Sequence, residues 1–367
     1  MKNNMDILNS YTTLNNSRPI IQGRKLTRYR NNIIFTIGFD LAHNIEIGPL
    51  MSDKSVRPAI SNKLCSELVI QICEILKEYI SYNDKLPVLN PNTKKGFWRH
   101  IQIRENMNSE YVLNFRVNKN EEYIKIFQEQ SSMLVSFFQK YIQENLIQIN
   151  YQIIDGKREP TVQDKYYTLY HVNDLYVKML DCMFIIHPLA FFQVNYETAE
   201  LIFKKVRELV REVSSDKLLD ICCGIGVYSF MCRDLFSSTI GIDSNPYNIK
   251  TANTLKNINE NSNHCQFYCG KVEDYIDELI QNDSYTLILN PGRSGLPLSV
   301  CQTIFSNLYL FNQIVYVSCN PESLKRDLDR FQMCSKYVYD VIPVNQFPNT
   351  NEWEVIVNIR LNCGNRL

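Results

Sequence analysis

The chain reads as an α/β protein: a doubly wound, mostly parallel sheet with its last strand antiparallel, preceded by a smaller α+β domain. Three observations predict this. Beyond residue 217, short apolar runs alternate with helical stretches, the pattern of a parallel sheet with helical crossovers. The last two apolar runs, residues 337–344 and 353–361, have no helix between them. One strand of that pair therefore runs antiparallel, because antiparallel neighbours need no crossover. The first half mixes two helical patterns with runs that alternate at strand period.

In the second half, residues 217–222 form the first strand and end in a glycine turn, with a helix over 227–236. Strands follow at 239–243, 265–268, 285–290 and 313–318, with helices over 245–260, 272–281, 298–307 and 323–331. In the first half, residues 29–38 read as a strand. Residues 61–80 read as an amphipathic helix, with Leu64, Leu68, Ile72, Leu76 and Ile80 at four-residue steps and Ser61 as its cap. Residues 97–104 and 111–117 alternate like paired strands, 121–142 is a second helix and 146–154 another strand. The order β-α-β-β-α-β suggests a split βαβ sandwich. The polar stretch 155–164 reads as a linker, dividing the chain into domains at 18–164 and 165–367.

At 367 residues, two domains with full cores are possible. Basic and acidic residues balance at 39 each, so any nucleic-acid surface must be a local patch. None of the twelve cysteines has CxxC spacing, which argues against a zinc ribbon or an iron–sulfur cluster; no metal is expected. Free thiols in such number fit a reducing compartment, the cytoplasm or nucleus. The amino terminus has no apolar signal core and is not arginine-rich, which leaves mitochondria as an unsupported alternative. The longest apolar stretch, 179–194, is broken by Asp181, His187 and Pro188, so no membrane span is read. A monomer is expected.

Val317-Ser318-Cys319-Asn320-Pro321 carries the most chemistry. Cys319 emerges at a strand's carboxyl end, where α/β enzymes place their sites. The dipole of the following helix could lower its thiol pKa. The alternative is a small apolar filler. Glu352 and Glu354 open the last strand two residues apart, as solvated carboxylates or with one of them as a base; the sequence alone does not choose.

Gly224 and Gly226 follow the first strand directly, so backbone and helix amides can approach a ligand. Asp243 ends the second strand 23 residues after Asp220 (243 − 220), where an acid commonly accepts ribose hydroxyls. Ser229 stands where a dinucleotide fingerprint has its third glycine, which favours a smaller nucleoside such as S-adenosylmethionine. Asn290-Pro291-Gly292-Arg293 ends strand four, as a plain turn or as an amide reading a pyrimidine edge. In Phe191-Phe192-Gln193-Val194-Asn195, Gln193 and Asn195 point the same way if the segment is extended. Arg24, Lys25, Arg28, Arg30, Lys94, Lys95, Arg99 and Arg104 interleave with Tyr29, Phe97 and Trp98, a mix able to hold phosphates and stack bases, or simply a solvated face.

These motifs, with Tyr29-Arg30-Asn31-Asn32, Gly96-Phe97-Trp98-Arg99, Leu219 through Gly224, Asn290 through Leu296 and Phe347-Pro348-Asn349-Thr350, occur in the order found in one family. The chain resembles the S-adenosylmethionine-dependent RNA uracil-C5 methyltransferases, most of all their eukaryotic tRNA branch. The resemblance implies a Rossmann-like methyltransferase domain, with the smaller domain contacting RNA. It implies Cys319 as nucleophile and Glu354 as proton acceptor. Gln193, Asn290, Asp243 and the Cys222, Gly224, Gly226 turn would contact S-adenosylmethionine. The expected substrate is the T-loop uridine of tRNA; ribosomal RNA, an amine methyltransferase that needs no cysteine, and a non-catalytic RNA-binding homologue are the alternatives. The chain departs from the family pattern in having Asn290 for Asp, Asn345 for Asp and Glu352 for His.

Overall fold

The computed structural model describes residues 18–155, 165–188, 190–213, 215–279, 283–331 and 337–361. The chain forms two compact units, residues 27–177 with 185–189, and residues 18–26, 178–184 and 190–361 of the described chain. This differs from a division at 164/165. Ile21–Gln22 (β1) pairs in parallel with a late strand of the larger unit, whereas residues 166–171 pair with the smaller unit's sheet. Backbone hydrogen bonding assigns both segments, and hydropathy does not report it. The expected linker over 156–164 lies outside the described residues.

Among the described residues, the smaller unit's sheet has six strands. Asn32–Phe39 (β2) and Ile45–Gly48 (β3) form a hairpin, followed by Glu67–Ser81 (α1), Trp98–Glu105 (β4), Tyr111–Asn118 (β5), Glu121–Ile142 (α2), Leu146–Ile154 (β6) and Tyr166–His171 (β7). The sheet order is β3-β2-β4-β5-β6-β7. Only β5 and β6 are parallel, joined by α2; β2 and β4 are antiparallel neighbours. A split βαβ sandwich is therefore not formed. Between α1 and β4 the chain runs through residues 82–97, far enough to reverse direction, and apolar periodicity encodes faces but not strand order.

Helix α1 starts at Glu67 rather than near Ser61, because Ser66 Oγ accepts from Val69 N (3.4 Å) and caps it. Asn120 caps α2 in the same way. The core beneath these helices is aromatic: Trp98 lies 5.4 Å from Phe115 and 5.5 Å from Phe127, and Phe97 lies 5.0 Å from Phe127. Phe97 and Trp98 are completely buried and Tyr29 nearly so, so these rings fill the core and do not stack bases. On the other sheet face, Asn114 Nδ2 donates to the side-chain carbonyls of Gln102 (3.3 Å) and Gln152 (3.0 Å).

A short hairpin, Tyr176–Met179 (β8) and Cys182–Ile185 (β9), follows. The larger unit continues with Tyr196–Arg211 (α3), Lys217–Ile221 (β10), Val227–Met231 (α4), Ser238–Asp243 (β11), Pro246–Leu255 (α5), Cys265–Cys269 (β12), Ile276–Leu279 (α6), Tyr285–Leu289 (β13), Leu298–Ser306 (α7), Phe311–Ser318 (β14), Pro321–Arg330 (α8), Tyr337–Asn345 (β15) and Glu354–Leu361 (β16). The sheet order is β1-β15-β16-β14-β13-β10-β11-β12. Only β16 is antiparallel to its neighbours. The Rossmann-like architecture and its one antiparallel strand are thus as the alternation predicts.

Helices α4, α5 and α6 are shorter than expected. Pro246 sets the start of α5 one residue after its Asn245 cap, and α6 is preceded by a separate 3₁₀ turn at Val272–Asp274. Residues 280–281 of the expected third helix lie outside the described residues. Among the described residues, no helix is long and apolar enough to cross a membrane.

Candidate functional site

The parallel strands deliver their carboxyl ends to one rim. β10 ends at Ile221, β11 at Asp243, β13 at Leu289 and β14 at Ser318. The next residues are Cys222, Asn290 and Cys319, on strands that are neighbours in the order β10-β13-β14, spaced about 4.8 Å apart. β16 enters from the opposite direction, so its first residue, Glu354, lies at the same rim. Ser318 pairs with Val355, and one step further along this antiparallel ladder brings Cys319 opposite Glu354.

Local chemistry shapes the turn around Cys319. Asn320 Oδ1 accepts from Glu322 N (3.1 Å) and caps α8, while its Nδ2 donates to Arg293 O (2.9 Å). Ser318 Oγ accepts from Asn320 N (3.2 Å). Cys319 is half-buried, not sealed in the core. The helix terminus is beside it as the sequence suggests, yet the thiol pKa does not fall. Burial, then the Glu354 and Glu352 charges, push it up to about 11 against the opposing pull of Arg293. The thiol is therefore a protonated resident of the site at neutral pH.

The two glutamates, equivalent in sequence, have different surroundings. Glu354 is 2% exposed, and burial pushes its carboxyl up to about 8. Glu352 precedes the strand, is half-exposed, and lies 4.0 Å from the Arg293 guanidinium. Trp353 points to the opposite face, against the apolar cluster that includes Val355.

The glycine turn is held by Asp243, whose carboxylate accepts from Gly224 N (2.9 Å), Asn245 N (2.8 Å) and Asn248 Nδ2 (3.0 Å). Gly224 and Gly226 both have positive φ, +59° and +81°, which only glycine adopts at low cost. A Cβ at Gly224 would meet nothing within 4 Å; the backbone there faces open space. Beneath the turn Asp220 is fully buried. Its Oδ2 accepts from Ser229 N and Oγ, and its Oδ1 has no partner among the described residues. Open space over the turn and an orphaned acceptor below it suit a small nucleoside ligand. Asn290 joins β13 to β10 through its N–H, which donates to Ile221 O (3.2 Å).

Gln193 is buried, and its Oε1 accepts from Gln346 Nε2 (3.1 Å). Asn195 caps α3 and donates its Nδ2 to Gln346 O (3.1 Å). The sequence marks Asp220 only as part of the glycine-turn motif and gives no sign of Gln346, whose contact spans 153 positions. Helix α3 is not among the elements expected above; its Asn195 cap and apolar Ile202, Val206 and Leu209 are the local signals that carry it. Asn345 Nδ2 donates to Gln22 Oε1 (2.8 Å) and ties β1 to β15.

Residues 142–361 match the family model described as tRNA (Uracil-5-)-methyltransferase. A protein of Clostridium tetani named "Uncharacterized RNA methyltransferase" is 28% identical, over 93% of this chain and 74% of its own length. The "tRNA (uracil-5-)-methyltransferase homolog B" of Danio rerio is 30% identical, over 53% of this chain and 43% of its own. The crystal structure of Pyrococcus abyssi tRNA (uracil-54, C5)-methyltransferase in complex with S-adenosyl-L-homocysteine superposes with TM-score 0.73 at 22% identity, covering 93% of this chain and 78% of that one; at that identity the likeness speaks for the fold.

Proposed function

Because the chain belongs to the tRNA (uracil-5-)-methyltransferase family, we propose that it methylates C5 of the T-loop uridine of tRNA through a covalent Cys319 adduct, with Glu354 as the base. It is an S-adenosylmethionine-dependent RNA methyltransferase of the uracil-C5, tRNA type. The observation that carries the residue assignment is the register that sets Cys319 against Glu354 at the rim where the glycine turn and Asn290 also end.

Uracil C5 is a poor nucleophile, and the chain's residues supply the remedy. The Cys319 thiol gives its proton to water and its sulfur bonds to C6; the C5=C6 electron pair shifts to C5 and the O4 carbonyl. S-adenosylmethionine, when bound, would supply the electrophilic methyl group that C5 takes, its S–CH3 bond breaking to leave the neutral thioether S-adenosylhomocysteine. Glu354, as carboxylate, then removes the C5 proton, the C5=C6 bond reforms and Cys319 leaves as thiolate. A stacked base cannot reach a strand-tip thiol, so the uridine is turned out into the site. Asp243, Asn290, Gln193 and the Cys222–Gly226 backbone would hold the donor, with lone pairs left on Asp243 for ribose hydroxyls. The smaller unit, whose exposed Lys94 and Lys95 remain available, would contact the RNA backbone. The reducing cytoplasm or nucleus is the proposed location.

The direct test maps 5-methyluridine in tRNA and ribosomal RNA from cells with and without the protein. Loss at the T-loop position supports the reading; loss confined to ribosomal RNA, or no loss, rejects it.

The donor site has its own test. Gly224→Ala adds a methyl into open space at a cost of about 1 kcal/mol of backbone strain, and should cut S-adenosylmethionine affinity at least about tenfold by calorimetry. Gly226→Ala would set its Cβ 2.6 Å from Phe267 Cε1 and should instead lower the melting temperature, by about 1–3 kcal/mol of stability. Unchanged affinity in Gly224→Ala would remove the turn from the donor site.

A further inference from the structure

Asp327 lies in α8, the helix that follows Cys319, and is wholly buried. Its Oδ2 accepts from Tyr316 Oη and from Leu296 N, both at 2.7 Å. Its Oδ1 accepts from Arg326 Nε (3.0 Å) and Nη2 (2.8 Å) and from Arg330 Nη1 (3.4 Å). The same arginines reach the 293–296 backbone: Arg326 Nη2 donates to Ser294 O (2.6 Å) and Arg330 Nη1 to Leu296 O (3.3 Å). Asn320 adds the bond to Arg293 O already described. Gly295 has φ +71°, and a Cβ there would collide with Asp327 Oδ2 and Arg326 Nη2. The loop is pressed onto the helix at the one residue type that permits the approach.

A buried carboxylate with two guanidiniums, a phenol and an amide stabilises less than a packed apolar cluster of the same volume would. What it supplies is direction: its bonds fix the backbone of Ser294 and Leu296, while Asn320 Nδ2 holds the Arg293 carbonyl just before them. The side chain of Arg293 is 72% exposed and lies 4.0 Å from the Glu352 carboxylate. Its carbonyl is bonded to Asn320, the residue after the thiol, so the loop backbone sets the point from which the side chain reaches toward Glu352 and the site.

We propose that Asp327 and Arg326 are positioning residues for the methyl transfer: they latch the Ser294–Leu296 backbone to the helix after Cys319 and so fix the loop from which Arg293 extends toward the site. This rests on the function proposed above only for its catalytic consequence. The charged groups that face the thiol are Glu354 and Glu352 from β16 and the residues before it, and Arg293 from the loop. Arg293 is the one that favours the thiolate, so a slack loop leaves the two carboxylates unopposed.

The test reads the thiol without RNA or donor. Peptide-resolved alkylation of Cys319 by iodoacetamide, in which the thiolate displaces iodide, is followed against pH in the full chain. Arg293→Gln should slow alkylation at pH 8 about threefold or more, because the rate follows the thiolate fraction. Arg326→Met, a change at a half-exposed side chain, should slow it to the same degree, and the Arg293→Gln/Arg326→Met double variant no further. Asp327→Asn should match them where its melting temperature shows it folded. Wild-type alkylation in Arg326→Met, or additive slowing in the double variant, overturns the latch. If the alkylation results hold while wild-type protein methylates no RNA, the latch stands and the proposed function falls.

Discussion

Cys319→Ala is expected to lower methyl transfer by about 10⁴-fold or more, with S-adenosylmethionine affinity unchanged within about threefold. Losing the thiol removes the whole covalent route, because without addition at C6 no electron density reaches C5. The cost to the fold is small, since the side chain is half-buried at a strand tip and not part of the packed core. Incorporation of labelled methyl into transcribed tRNA measures the first quantity and calorimetry the second. Activity retained within tenfold would end the covalent mechanism and favour a direct transfer that needs no cysteine. A normal adenosine site with no activity even in the wild-type chain would instead favour an RNA-binding protein that has kept the fold.

Glu354→Gln has an effect of the same order but a different signature. The amide cannot take the C5 proton, so the reaction should stop after methyl transfer with the RNA still bonded to Cys319. A band that migrates with protein plus RNA on a denaturing gel is the expected result, absent from the Cys319→Ala/Glu354→Gln double variant. If no such band forms, proton removal belongs to another group.

Glu354 also makes a thermodynamic prediction. Burial pushes its carboxyl up to about 8 in the fold, against about 4.3 in an unfolded chain. The folded state therefore holds a proton that the unfolded state has lost between those pH values, and stability falls as pH rises through that window. The full effect is about 5 kcal/mol at pH 9. Asp220, raised by burial to about 7, acts in the same direction over a lower window, which is why a variant is needed to separate them. Glu354→Gln should be less stable at pH 9 than at pH 5 by several kcal/mol less than the wild type is. The rate of product release should rise with pH toward about 8, as the base loses its proton. Denaturant melts at the two pH values that give the same pH dependence for both proteins would place the carboxyl in water.

Much of the larger unit was legible because its strands are buried on both faces and end in turn residues. Continuous apolar runs such as Ile314 to Val317, closed by Asn320-Pro321, mark both the strand and the tip where Cys319 emerges. Less of the smaller unit was readable. The alternation in β4 and β5 signals a half-polar sheet, yet nothing local says whether β2 lies beside β4 or across the sheet. Phe97 and Trp98 show the limit on the functional side: an aromatic next to arginines has the same sequence signature whether it stacks on a base or fills a core.

The amino-acid order by itself determined the alternation of strand and helix, the antiparallel last strand, the glycine turn, and the cysteine at a strand end, because each follows from interactions within about a dozen residues. The tertiary structure alone decided which glutamate is buried, that the Cys319 thiol is raised and not lowered, and that Asp327 and Gln346 back the rim. Burial and charge at a point depend on which distant segments meet there, and β16 meets β14 only through the folded sheet.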